Sequence, residues 1–365
     1  MPTPLKSVIL LAFISMVGTL QTPLAATADS AGSTGDLPIE IAAPNTPVIA
    51  VYPVNSFCEG PAWDGSGRLT FSSTLSGKVY SYQPATQTKG EFITLQGANG
   101  QEWGNDGRLY ACARGGIYSF DAQGGDKQTF LTASPDPNDL TIDSKGNLFF
   151  STYNPNFSYK AAGASAQTVN PKPYKSSNGI EYLEEAGILY VNDYGGSLIY
   201  KYDVAADGSL SQETVFDSVS SPDGITVDEK GNVYVSSGLK GTIVVFNPSG
   251  LKLGEITVSL APGGDSHPGI GYNTSNCVFG GPDRKTLFIT GDGGLYAVTL
   301  NVAGRQRPSS SSSRSIHFNR YPIRRSPAMA FSGGALEFFD NRSGSGHGRT
   351  LITGQRLPFS PPPSP

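Results

Sequence analysis

The stretch SSPDGITVDEKGNVYVSS, residues 220–237, decides how the chain is read. Its Asp223-Gly224 is a strong turn signal, Ile225 to Val227 and Val233 to Val235 have the β-branched and aromatic content of strands, and Gly231 opens a turn between them. Similar phrases stand along the chain: Glu59-Gly-Pro-Ala-Trp, Asn99-Gly-Gln-Glu-Trp, Asn138-Asp-Leu-Thr-Ile, Asn178-Gly-Ile-Glu-Tyr, Asp223-Gly-Ile-Thr-Val and Asn276-Cys-Val-Phe-Gly. Each begins with an acid or an amide. Successive starts lie 40, 39, 40, 45 and 53 residues apart, close to the ~40–50 residue period of propeller blades.

A glycine eight residues after the start holds the register in Gly67-Arg-Leu-Thr-Phe, Gly107-Arg-Leu-Tyr, Gly146-Asn-Leu-Phe-Phe and Gly231-Asn-Val-Tyr-Val. A further strand follows in Gly77-Lys-Val-Tyr-Ser-Tyr, Gly116-Ile-Tyr-Ser-Phe, Ser197-Leu-Ile-Tyr-Lys-Tyr, Gly241-Thr-Ile-Val-Val-Phe and Gly294-Leu-Tyr-Ala-Val. Units of this kind bury their faces by stacking around an axis, so the expected fold is all-β, a six-bladed β-propeller. A pair of β-sandwich domains is the alternative, but it gives no reason for the recurrence. Val48 to Val54 is expected to pair with the strands of the sixth repeat. In the third repeat, residues 154–176 (NPNFSYKAAGASAQTVNPKPYKS) read as an inserted loop in place of the third strand. Residues 262–275, with His267, read as a second rim loop.

Composition agrees with many short strands and turns: 45 glycines, 17 tyrosines and only 15% charged residues. Residues 1–28 have the build of a secretory signal peptide, with Lys6, an apolar run from Ser7 to Leu20 and small residues to Ala28. That run falls short of the ~20 residues a membrane span needs, and no later segment supplies one. The protein is therefore expected to be secreted, extracellular or periplasmic. Residues 29–45 read as a linker, 46–303 as the propeller and 304–365 as a disordered tail, Ser/Pro-rich and basic, with nine Arg against Glu337 and Asp340. The net charge of −4 leaves the folded part acidic, which excludes a nucleic-acid role for it. Cys58, Cys112 and Cys277 are too few and too scattered for a disulfide framework and read as buried small hydrophobes. Sequons stand at Asn156, Asn273 and Asn341.

The recurring first residue is more than a turn former, because Glu59 is a poor turn residue in the same register, and Asp139 and Cys277 replace the following glycine. What recurs is a side-chain oxygen. Rotational symmetry would gather Glu59, Asn99, Asn138, Asn178, Asp223 and Asn276 around the channel mouth. Two carboxylates among amide carbonyls make a hard, oxygen-only site suited to one divalent cation, Ca²⁺ before Zn²⁺, Mn²⁺ or Mg²⁺.

At these residues the chain resembles the regucalcin-like family, also called the senescence marker protein, gluconolactonase and luciferin-regenerating enzyme family. The resemblance rests on Glu59-Gly-Pro-Ala-Trp, Pro137-Asn138-Asp139, Ser177-Asn178-Gly179, Pro222-Asp223-Gly224-Ile-Thr-Val-Asp228 and Phe279-Gly-Gly-Pro-Asp-Arg-Lys-Thr-Leu-Phe-Ile-Thr290. It implies one divalent ion held by Glu59, Asn178 and Asp223, with Asn138 as a further oxygen. It also implies that Asn138 and Asp139 face the substrate and that Asp223 doubles as the catalytic base; Asn99 and Asn276, from the same ring of recurring residues, are expected to line the substrate site with them. The implied activity is a metal-dependent hydrolase acting on a small-molecule sugar lactone or similar cyclic ester. The chain departs from the family pattern at Asp136, where sugar-lactone members often have arginine, and at Phe150-Ser151-Thr152, where many have Phe-Thr-Asp. A serine triad is disfavoured, since there is no G-x-S-x-G elbow and His267, His317 and His347 are the only histidines. Two alternatives remain: a non-catalytic metal-containing propeller acting as an extracellular binding scaffold, and a strictosidine synthase-like enzyme. The oligomeric state is open.

Overall fold

The computed structural model describes residues 30–170, 172–259 and 274–307. The signal-like residues 1–28, His267 with most of its loop, the sequons at Asn273 and Asn341, and His317 and His347 with the tail beyond 307 lie outside the described residues.

Among the described residues every regular element is a strand. The short β1 (Ser30–Ser33) is followed by a run of antiparallel meanders. The first comprises β2 (Pro47–Trp63), β3 (Leu69–Ser73), β4 (Lys78–Gln83) and β5 (Thr88–Thr94). The next comprises β6 (Gln101–Trp103), β7 (Leu109–Ala113), β8 (Gly116–Phe120) and β9 (Gln128–Thr132). Then come β10 (Leu140–Ile142), β11 (Leu148–Ser151), β12 (Phe157–Lys160) and β13 (Gln167–Thr168). The fourth set is β14 (Ser177–Leu183), β15 (Ile188–Asp193), β16 (Leu198–Asp203) and β17 (Thr214–Ser218). The fifth is β18 (Pro222–Val227), β19 (Val233–Ser237), β20 (Thr242–Phe246) and β21 (Lys252–Val258). Finally β22 (Thr274–Gly280) pairs with β23 (Thr286–Thr299).

The long β2 joins that last sheet. Ile49 of β2 lies opposite Ala297 of β23, which is the pairing expected of Val48 to Val54. A register shift between Pro53 and Phe57 then carries the long β2 from this sheet into the first meander. An irregular register bends and twists a strand, so one strand can serve two sheets. The first strands touch in rotation: β2 against β6, β6 against β10, β10 against β14, β14 against β18, β18 against β22, and β22 against β2.

The apolar core lies between successive meanders. Leu183, Tyr190 and Ile199 pack with Ile225, Val235 and Val244 of the next set, and Tyr110, Cys112 and Ile117 pack with Leu140, Leu148 and Phe150. Each such side chain contributes about 1.5–3 kcal/mol through burial, which holds neighbouring sheets face to face and so holds the first strands in line. Cys58, Cys112 and Cys277 are free and buried, as expected.

Three boundaries differ from the sequence reading. Residues 29–45 are not simply a linker: β1 pairs with both β2 and β21, and Leu37, Ile41 and Ala42 are buried in the core. Residues 154–176 do contain the third strand, because Phe157-Ser-Tyr-Lys pairs along β11 and buries Phe157. The fold also continues past 303. Gly304 bridges Asp228, and the buried Arg305 donates to Glu181 Oε1 from Nη2 at 2.7 Å and from Nε at 2.9 Å.

Candidate active site

Five of the six recurring residues stand near the start of a first strand, Asn99 before β6, Asn138 before β10, Asn178 in β14, Asp223 in β18 and Asn276 in β22, while Glu59 lies within the long β2. Their segments form a closed circuit of contacts. A Cβ on Gly60 would fall 2.2 Å from the Asn99 carbonyl oxygen, and the Gly100 N–H donates to the Asn138 carbonyl at 2.8 Å. The Ile180 N–H donates to the Asp139 carboxylate. A Cβ on Gly179 would fall 2.1 Å from the Asp223 carbonyl oxygen, and one on Gly224 would fall 2.1 Å from the Asn276 side chain. Ser275 Oγ donates to the Cys58 carbonyl at 2.6 Å and closes the circuit.

The glycine after the recurring residue therefore has a role that the sequence reading passed over. Where it occurs, at 60, 100, 179 and 224, it lets adjacent first strands approach to a distance that no side chain would allow.

Four of the six side chains, Glu59, Asn178, Asp223 and Asn276, come together with that of Asp139, all buried. Asn276 Nδ2 donates to Asp139 Oδ2 at 3.2 Å, and the Asn178 amide hydrogen-bonds to the Asp223 carboxylate. Glu59 Oε2 accepts from the Gly60 N–H at 3.2 Å. Asn99 and Asn138 join through their backbones instead: Ser72 Oγ donates to the Asn99 carbonyl at 2.9 Å, and the Asn138 N–H donates to Ser151 at 2.8 Å. Among the described residues, no hydrogen bond links either of those side chains to the other members.

Burial, and then the charges of Asp223 and Asp139, push the Glu59 carboxyl well above the usual range. Burial followed by the Asp139 charge does the same to Asp223, with the Asn178 amide opposing it. Asp139 is pushed up to about 7, chiefly by burial, against the Leu140 N–H and the Asn276 amide. Among the described residues none of the three carboxylates forms an ion pair with Lys or Arg. Buried, uncompensated carboxylates are costly, and a bound cation relieves that cost. No three His, Cys, Asp or Glu side chains gather into a metal cluster among the described residues. A cation here would take Glu59 and Asp223 with amide and water oxygens, a hard donor set suited to Ca²⁺, Mg²⁺ or Mn²⁺.

Residues that the sequence did not single out support this group. Asn192 donates its amide to the Asp223 carbonyl, and Tyr153 and Tyr194 lie close enough for the Asp223 charge to raise both phenols, after burial. Both tyrosines lie seven residues after a glycine that opens a second strand, Gly146 and Gly187, but Arg114 and Gly238 hold that place after Gly107 and Gly231, so no residue type marked the position along the chain.

Meander sheets in rotation around buried acids and amides define a propeller-like all-β protein with an oxygen-lined centre. Residues 57–292 match the model of the SMP-30/Gluconolactonase/LRE-like region, and the chain belongs to that family. It is 25% identical over 284 residues to lactonase drp35 of Staphylococcus saprophyticus, covering 68% of this chain and 84% of that protein. Among solved structures it resembles a gluconolactonase from Xanthomonas campestris, with a TM-score of 0.62 and 22% identity over 76% of this chain and 99% of that one. It also resembles the calcium-binding protein regucalcin from Agrobacterium tumefaciens, with a TM-score of 0.60 and 16% identity over 72% and 95% of the two chains.

Proposed function

We propose that the chain is a six-bladed β-propeller acting as a divalent-cation-dependent lactonase. Six blades are the reading that the rotation of first-strand contacts from β2 through β22 and back supports. Hydrolysis of lactones fits the family and the lactonase relatives. The observation that carries the reading is the convergence of buried Glu59, Asp139, Asn178 and Asp223, three of them carboxylates without a cationic partner among the described residues.

Glu59 and Asp223, with Asn178 as an amide oxygen, would hold the cation. When bound, the ion supplies Lewis-acid polarisation of an ester carbonyl. The chain's own groups do the rest. The Asp223 carboxylate, oriented by the Asn178 amide, accepts the proton of the attacking water. Asp139, held near neutrality in its titration, and Asn138 face the ester and fix its orientation, with Asn276 pinning Asp139 from across the centre. Secretion belongs to the same proposal and is supported by the charged, apolar and small-residue order of residues 1–28.

The test is hydrolysis of a lactone panel by purified protein with Ca²⁺, Zn²⁺ or Mn²⁺, or with excess chelator. Asp223→Asn is expected to lower kcat by roughly 10²–10⁴-fold, and Glu59→Gln to raise the cation concentration required. Full-rate hydrolysis in chelator, or an Asp223→Asn protein as fast as wild type, would sink the reading.

A further inference from the structure

Tyr153 and Tyr194 stand beside the acid cluster with ring centroids 5.7 Å apart, inclined at 53°. Both chain positions are keyed to the segment that delivers Asn178. The Tyr194 N–H donates to the Ser176 carbonyl at 2.8 Å, and Ser176 Oγ donates to the Tyr153 carbonyl at 3.2 Å. On its other side Tyr194 lies over Gly238, where an added Cβ would stand 2.9 Å from Cε2, and Gly238 donates to Ser221, two residues before Asp223. Tyr153 is 51% exposed and has φ +55°, a left-handed conformation that a bulky side chain adopts only when its surroundings impose it.

The polar groups around this wall are already engaged with backbone. Asp193 accepts from the Ser176 and Gly196 N–H groups at 2.9 and 3.0 Å. Ser177 Oγ donates to the Asn154 and Asn156 carbonyls at 2.9 and 2.7 Å. A ring bearing several hydroxyls would find few open partners among these groups and would leave polar atoms unmatched. A flat apolar group would instead cover exposed aromatic surface and gain edge-to-face contact.

We propose that Tyr153 and Tyr194 form a specificity wall that selects lactones carrying an aryl or other flat apolar substituent over polyhydroxylated ones. The inference rests on the lactonase reading of the neighbouring acids and names the substrate class of that site. The Tyr153 and Tyr194 rings stand 5.7 Å apart, close enough for one flat group to touch both.

The experiment compares kcat/KM for γ-phenyl-γ-butyrolactone, γ-butyrolactone and glucono-δ-lactone, with Ca²⁺ present. Wild type is expected to favour the phenyl lactone over the glucono-lactone by roughly tenfold or more. In Tyr153→Gly and Tyr194→Leu proteins the ratio of phenyl to unsubstituted lactone is expected to fall by roughly tenfold, mainly through KM. Tyr153→Phe and Tyr194→Phe, which keep the rings, should retain it. An unchanged ratio in the Gly and Leu proteins, or a wild-type preference for the glucono-lactone, overturns the wall. If no lactone is turned over, the lactonase reading fails and calorimetry decides the wall separately. Binding of 4-hydroxy-4-phenylbutanoate more tightly than gluconate, weakened in the Gly and Leu proteins, upholds it; equal binding overturns it.

Discussion

Asn276 and Asp139, 137 positions apart in the chain, meet side chain to side chain at 3.2 Å. This contact binds the third repeat to the last across the centre of the molecule, beside Glu59 and Asp223. The site is therefore assembled from distant strands, and its electrostatics belong to the fold as a whole.

Stability should fall as the pH rises in metal-free protein. Asp139 titrates near 7 in the fold against an ordinary value of 3.8, and Glu59 and Asp223 are raised in the same direction. A carboxyl whose folded pKa is raised contributes stability that is complete below its unfolded value, about pH 4, and lost as the pH climbs through the folded value. Thermal melts in chelator should drop by several degrees between pH 5 and pH 8, and saturating Ca²⁺ should remove most of the drop. A Tm that stays level across this interval in chelator would contradict the carboxylate assignment.

Arg305→Ala should destabilise the fold strongly. The guanidinium and the Glu181 carboxylate are both buried, Nη1 reaches Glu185 at 3.5 Å, and Nη2 also donates to the Tyr182 carbonyl at 2.9 Å. Removing one partner leaves a buried charge, which costs about 3–5 kcal/mol. Adding Glu181→Gln to Arg305→Ala should recover part of that loss. Urea titration of the single and double variants reads both, and a single variant as stable as wild type would show the Arg305–Glu181 pair to be dispensable.

The glycines between first strands should be intolerant of even a methyl group. Gly179→Ala places a Cβ against the Asp223 carbonyl and Asn192 Nδ2, so a loss of about 1–3 kcal/mol is expected. Gly90→Ala on the outer β5 meets nothing nearer than Ser81 Oγ at 3.7 Å and should be close to neutral. Equal melting temperatures for the two variants would mean that the strands around the centre have room to move apart.

Much of this was legible along the chain because a repeated unit writes the same local code each time. Alternating strands, glycine turns and an oxygen-bearing residue at a spacing near 40 identified the all-β class and nominated the six recurring residues, among which the family resemblance singled out Glu59, Asn178 and Asp223. Where local code is weak, the reading failed. Ser30-Ala-Gly-Ser has no strand pattern and becomes a strand because β2 and β21 offer it backbone partners. Phe157-Ser-Tyr-Lys does alternate, but its Asn- and Pro-rich neighbours hid it until β11 supplied the pairing.

Residue type and spacing thus nominated the oxygen-bearing side chains, since alternation and turn chemistry act over a few neighbouring residues. Which of them meet was decided by closure of the ring. The Asn276–Asp139 contact, the Arg305–Glu181 pair and the Tyr153–Tyr194 wall form through burial and hydrogen bonds that exist only once the sheets have packed.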